Sequence, residues 1–81
     1  ESIEEQTRQA LENTMAILAE AGYAPEHVVK STVLLADIGD FSAMNGVYAR
    51  YYTRDMPARV CYQAAALPMG AKVEIETIAV K

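Results

Sequence analysis

The sequence predicts an α+β domain in which two helices pack on one face of a mixed β-sheet. Two segments carry apolar residues at helical spacing, and three others are rich in β-branched residues or alternate between polar and apolar. Their order along the chain is helix, strand, helix, strand, strand. Because 81 residues bury only a marginal core, we expect one incomplete domain over residues 1–81 that is stabilised by association with other chains.

The first helix is predicted over residues 3–21, where apolar side chains recur at helical spacing. Ser2 precedes Glu5 by three residues, which is the spacing of a capping box. Gly22 is predicted to end the helix, since glycine readily adopts the left-handed conformation that follows a helix.

The next two elements are a strand and a second helix. Residues 28–36 are dense in β-branched and aliphatic side chains and predict a buried strand. Asp37 and Gly39 interrupt this run, and Asp40 is the predicted N-cap of a helix that stops before Pro57. The apolar side of that helix is formed by Phe41, Met44, Val47, Tyr48 and Tyr51.

Two more strands are predicted near the C-terminus. Residues 59–65 alternate, with Arg59 and Cys61 on one face, and residues 72–80 place Glu74 and Glu76 on one face. The short link between these strands predicts that they pair antiparallel with each other. Three strands are few for two helices, so we expect that N-terminal strands are missing from this sequence or that other subunits complete the sheet.

The composition of the chain limits the kinds of molecule that it is expected to bind. The net charge of −4 and the dispersed basic residues argue against nucleic acid, and no apolar run approaches the ~20 residues that would cross a membrane. The single cysteine, Cys61, fits a reducing compartment, so we expect a cytoplasmic location, with an organelle signal upstream left open. Phosphate-loop and metal-ligand motifs are missing from the sequence, so we expect neither a cofactor nor a metal.

Four residues are candidates for chemistry, and each has a plain structural alternative. Arg59 could bind a carboxylate through two parallel hydrogen bonds, or it could be an exposed surface arginine. Cys61 could line the same site or act as a small buried hydrophobe. Glu74 could perform acid–base work, or it could form a solvated edge together with Glu76. Asn45 could bind a ligand or satisfy a neighbouring backbone group.

The ordered segments of the chain resemble the reactive-intermediate deaminase (imine/enamine deaminase) family, also known by translation-inhibitor and L-PSP endoribonuclease names. The resemblance rests on QTRQALEN at 6–13, on VVKSTVLLADIGDFSAMNGVYARYY at 28–52 and on PARVCYQAAALPMGAKVEIETIAV at 57–80. The PAR-x-C stretch followed by LP-x-G and VEIE is specific. Met69 departs from the lysine that commonly follows LP in the family.

The resemblance implies a chorismate-mutase-like fold, a homotrimer with sites between subunits, and a 2-iminobutanoate/2-iminopropanoate deaminase activity. In such an enzyme Arg59 binds the substrate carboxylate, Cys61 and Asn45 line the pocket, and Glu74 positions the hydrolytic water. The substrates are enamines and imines of the 2-aminoacrylate type, hydrolysed to 2-keto acids and ammonia without a cofactor. The alternatives are a non-catalytic trimeric module that binds a small carboxylate or a protein, and RNA cleavage, against which the acidic charge argues.

Overall fold

A computed structural model describes residues 2–81, which form two helices and three strands. The helices are α1 (Ile3–Glu20) and α2 (Phe41–Tyr48), and the strands are β1 (Val28–Leu35), β2 (Ala58–Gln63) and β3 (Val73–Ala79). The predicted order of elements is confirmed, with boundaries that differ by a few residues. Neither helix in the described part of the chain has both the length and the apolar character that a membrane span requires.

Both predicted ends of α1 are confirmed. Ser2 accepts a hydrogen bond from the Glu5 amide at 3.1 Å, and the Glu5 carboxylate accepts one from the Ser2 amide at 3.1 Å. Gly22 has a φ of 81°, and the Tyr23 amide donates back to the Leu18 carbonyl at 2.7 Å. These bonds satisfy backbone groups that would be unpaired at the helix ends.

The sheet has the order β2-β1-β3, so the predicted pairing of the last two strands with each other is wrong. β2 runs parallel to β1, and β3 runs antiparallel to β1 on its other side. The segment 64–72 is long enough to cross the end of β1, since neighbouring strands lie only about 5 Å apart. This arrangement gives the central place to β1, the strand richest in β-branched and aliphatic residues.

One face of the sheet is covered by both helices. Val33 and Leu35 of β1 are fully buried there, together with Leu11 of α1 and Met44 of α2. The other face is open in the single chain, where Val60, Tyr62 and Ile78 expose 45%, 52% and 55% of their surfaces. β1 is therefore buried on one face only, and the open face carries these exposed apolar side chains beside the charged Lys30 and Glu76.

The start of α2 differs in detail from its prediction. The helix begins after Asp40 as expected, but the Asp40 side chain makes no capping hydrogen bond. Asp37 accepts a hydrogen bond from the Gly39 amide at 2.9 Å instead, within a short 3₁₀ turn over Ile38–Asp40. Because this turn directly precedes the helix, the side-chain contact to the backbone is made one turn earlier than predicted.

Tyr52 makes the stability of the fold depend on pH in the alkaline range. Burial, followed by the neighbouring Tyr48, raises the pKa of Tyr52 to about 12. Between pH 10 and 12 the unfolded chain therefore loses a proton that the folded chain keeps, so the free energy of unfolding falls as pH rises through this window. We expect Tyr52→Phe to reduce the loss of stability between pH 8 and 11, measured as the shift in urea midpoint of the complete protein. The control is Tyr23→Phe, which removes a hydroxyl from a half-buried ring just after α1, and an equal pH dependence in both variants would contradict the assignment to Tyr52.

Candidate active site

Arg59 lies near the start of the edge strand β2 and is held by three side chains of α2. Its Nη1 donates a hydrogen bond to Asn45 Oδ1. Its Cζ lies 4.9 Å from the ring centroid of Tyr48 and 5.3 Å from that of Phe41. The guanidinium therefore sits against two aromatic rings and has a fixed acceptor for one of its nitrogens. The sequence-based candidates Arg59 and Asn45 are brought together.

A groove of about 340 Å³ begins at this guanidinium. Its lining, which we call the Arg59 groove, consists of Asn45, Tyr48, Ala49, Tyr52, Met56, Pro57 and Arg59. Arg59 is the only charged residue in this lining, and most of the remainder is apolar or aromatic. Such a groove suits a small anion that carries an apolar substituent, because the charge is paired at one end and the hydrocarbon part is desolvated along the rest.

Cys61 lies two residues after Arg59 and points to the same, helix-covered face of the sheet. It is half-buried and packs against the core cluster. Burial raises the pKa of the Cys61 thiol, and the nearby Arg59 charge only partly opposes this rise. The thiol is therefore protonated near neutral pH, which is unfavourable for a nucleophile.

Glu74 does not meet Arg59 within one chain. Paired residues of neighbouring strands point to the same face, and Arg59 pairs with Ser31, which pairs in turn with Thr77. Glu74 pairs with Leu34. Leu34 follows the buried Val33 in β1, and successive residues of a strand point to opposite faces. Arg59 thus lies on the helix-covered face and Glu74 on the open face, with β1 between their strands.

The strands that carry Arg59 and Glu74 were predicted to pair with each other, whereas β1 separates them. The guanidinium and the carboxylate therefore do not meet within a single chain. Glu74 is half-buried and makes no hydrogen bond or ion pair with another residue in the described range 2–81. A site that uses both groups needs them from two different chains.

The contacts that hold Arg59 were not predicted from the sequence, in which Phe41 and Tyr48 were placed on the apolar side of α2. Phe41, Asn45 and Tyr48 follow one another at intervals of four and three residues. This spacing places all three on one stripe of a helix. The stripe could have been found from the sequence, but its contact with Arg59 depends on how α2 packs against β2.

Within the part of the chain that the structure describes, no three imidazole, thiol or carboxylate groups gather where they could hold a metal ion. His27, which lies just before β1, accepts a hydrogen bond from the Ala24 amide through its Nδ1 at 2.8 Å. This contact gives His27 a structural role in its turn.

Comparisons with known proteins show what this chain is similar to. The sequence profile of the family described as Endoribonuclease L-PSP matches residues 1–81. A 2-iminobutanoate/2-iminopropanoate deaminase of Capra hircus is 57% identical over 77 residues, covering 95% of this chain and 56% of the goat protein. The chloroplastic Reactive Intermediate Deaminase A of Arabidopsis thaliana is 51% identical, covering 98% of this chain and 42% of the plant protein.

Among solved structures, the crystal structure of E. coli TdcF with bound serine superposes with a TM-score of 0.94 at 38% identity. The match covers all of this chain and 66% of TdcF. The fold is thereby the chorismate-mutase-like α+β fold predicted from the sequence. The chain spans between two fifths and two thirds of the length of these proteins.

Proposed function

Because the chain belongs to the Endoribonuclease L-PSP family, which includes the reactive-intermediate deaminases, we propose that its protein is a 2-iminobutanoate/2-iminopropanoate deaminase. It adds water to the imine carbon of a 2-imino acid and releases a 2-keto acid and ammonia. The observation that supports this most directly is the fixed guanidinium of Arg59 at the charged end of an otherwise uncharged groove. A small acid with a short apolar substituent matches this groove, because its carboxylate can pair with Arg59 and its substituent can contact the uncharged remainder.

Arg59 anchors the substrate carboxylate in this proposal. Asn45 occupies Nη1, and no other hydrogen bond holds the guanidinium among the described residues. Nε and Nη2 therefore remain to donate two parallel hydrogen bonds to a carboxylate. Holding the substrate by this group fixes the imine carbon relative to the groove, and such positioning is a large part of catalysis without a cofactor.

Glu74 supplies the second function, from another copy of the chain. Its carboxylate holds the attacking water, accepts a proton as the water adds to the imine carbon, and returns a proton to the departing ammonia. Because Glu74 lies on the open face and Arg59 on the covered face of the same sheet, one copy provides the anchor and its neighbour the carboxylate. Cys61 is half-buried on the same face and lies outside the lining of the Arg59 groove that one chain forms, and we propose that it lines the assembled pocket.

A homotrimer is the assembly we propose, in which the open sheet face of one copy, carrying Glu74, packs against the β2 edge of the next copy beside its Arg59. The exposed Val60, Tyr62 and Ile78 on that face give the association a hydrophobic driving force. We place the enzyme in the cytoplasm, and the chloroplastic relative makes an organelle the alternative. Its role there is the removal of reactive enamines and imines before they damage other molecules.

The proposal is tested by generating a 2-imino acid in situ with an amino-acid oxidase and following keto-acid release with and without the complete protein. Accelerated release, proportional to enzyme concentration, supports the deaminase. Binding of 2-oxobutanoate in a calorimetric titration without accelerated release would replace it by the non-catalytic carboxylate-binding module. A sedimentation experiment on the same sample measures the trimer.

The Cys61 thiol is expected to be dispensable. Cys61→Ala should keep kcat/KM within about threefold of the parent enzyme, because a thiol with a raised pKa is protonated at pH 7 and does not attack. The measurement is the imine hydrolysis assay at pH 7 and pH 9. A fall of more than a hundredfold in the variant would contradict this expectation and assign the nucleophile to the thiol.

A further inference from the structure

The strongest contact pattern that the proposed reaction does not use is the way α2 surrounds Arg59. Phe41, Asn45 and Tyr48 lie at spacings of four and three along the helix and all contact the guanidinium, and we call these residues the Arg59 cradle. Asn45 contributes a hydrogen bond, whereas Phe41 and Tyr48 contribute ring faces. The two rings have no direct role in the proposed chemistry.

An arginine on an exposed edge strand ordinarily samples many rotamers. Arg59 is exposed, and within residues 2–81 β2 has a neighbouring strand on one side only. A guanidinium that must present two nitrogens to a carboxylate in one orientation loses binding free energy if it has to be ordered first. Contacts beside the strand that order the guanidinium before the ligand binds therefore strengthen binding.

The ring of Tyr48 provides such a contact. Only 6% of its surface is exposed, and its ring packs against that of Tyr52 at a centroid distance of 4.9 Å. Packing on both sides thus restricts the ring, and its face lies 4.9 Å from the Arg59 Cζ. The buried Tyr48 hydroxyl has no hydrogen-bond partner among the described residues, so the ring and not the hydroxyl makes the useful contact.

We propose that Phe41 and Tyr48 are positioning residues that hold the Arg59 guanidinium against two ring faces in its carboxylate-binding orientation. The contact is a cation–π interaction, which attracts the guanidinium to each ring face and restricts its rotation. The inference rests on the proposed function for its link to catalysis. The ordering of Arg59 itself is independent of which reaction the enzyme performs.

The test compares ring removal with hydroxyl removal in the complete protein. Phe41→Leu and Tyr48→Leu remove a ring and keep apolar volume, whereas Tyr48→Phe removes only the hydroxyl. Tyr51→Leu is the matched control, because it removes a ring from the turn after the same helix, where Tyr51 bonds to Glu12 at 2.7 Å. Phe41 is only half-buried, so Phe41→Leu keeps the test decisive if Tyr48→Leu fails to fold.

Two readouts are measured on each folded variant. The order parameter of the Arg59 Nε–Hε bond is expected to fall from about 0.85 to below about 0.6 in either ring-removal variant. KM for the imino acid, and Kd for 2-oxobutanoate, are expected to rise roughly tenfold while kcat changes less than about twofold. Tyr48→Phe is expected to keep the parental order parameter, and Tyr51→Leu is expected to match the parent in both readouts.

An unchanged Arg59 order parameter in the ring-removal variants would overturn the inference, whatever the activity. Unchanged KM and Kd with a mobile Arg59 would overturn the positioning role, and equal effects of Tyr48→Phe and Tyr48→Leu would overturn the role of the ring. If the parent protein fails to hydrolyse imines, the proposed function is wrong. The order parameter and the Kd for 2-oxobutanoate then still decide whether the rings position Arg59.

Discussion

Arg59→Ala is expected to lower kcat/KM for imine hydrolysis by roughly 100- to 10,000-fold. The variant loses two charge-assisted hydrogen bonds to the substrate carboxylate, each of which contributes about 1.5–3 kcal/mol. Arg59→Lys should fall between the variant and the parent, because lysine keeps the charge but cannot form the planar two-nitrogen contact. The measurement is keto-acid release from a freshly generated imino acid, together with sedimentation to show that assembly is intact.

Arg54→Ala is the matched control for this prediction. Arg54 is also an exposed arginine near β2, but it pairs with Glu26 at 3.4 Å and lies outside the Arg59 groove. A surface ion pair of this kind contributes little to stability, so the variant should have parental activity. Full activity of Arg59→Ala, or equal losses in both variants, would discard the anchor role.

Glu74→Gln is expected to lower kcat by roughly 100- to 10,000-fold, the range that a positioned acid–base group contributes. The amide has nearly the same shape as the carboxylate but cannot take up the proton of the attacking water. Glu76→Gln is the control, because Glu76 lies two residues on along the same face and is exposed. KM should change little in Glu74→Gln, since the substrate carboxylate is held by Arg59.

Mixing the two inactive variants tests where the site is assembled. Arg59 and Glu74 lie on opposite faces of one sheet, so a complete site takes each group from a different copy. Co-refolding Arg59→Ala with Glu74→Gln chains should therefore restore part of the parental activity, because some interfaces combine two intact groups. A mixture no more active than its components, in assemblies shown to be mixed, would contradict the two-chain site. Parental activity of Glu74→Gln alone would remove Glu74 from the mechanism.

Much of the local structure follows from short-range signals in the sequence. The capping box of Ser2 and Glu5 and the terminating Gly22 bound α1 because they act through hydrogen bonds between near neighbours. The alternation along β2 placed Arg59 and Cys61 on one face because successive side chains of a strand point in opposite directions. The family resemblance supplied the candidate roles, including those of Asn45 and Glu74.

The order of the strands and the contacts around Arg59 were decided by the tertiary structure alone. A short link suggested that β2 and β3 pair, but burial of the apolar β1 at the centre of the sheet separates them, and hydrophobic burial is a property of the whole chain. The same packing brings Phe41, Asn45 and Tyr48 against Arg59, and it leaves Glu74 on the opposite face. Periodicity along a chain tells which residues share a face, whereas only the packing of helix on sheet tells what that face meets.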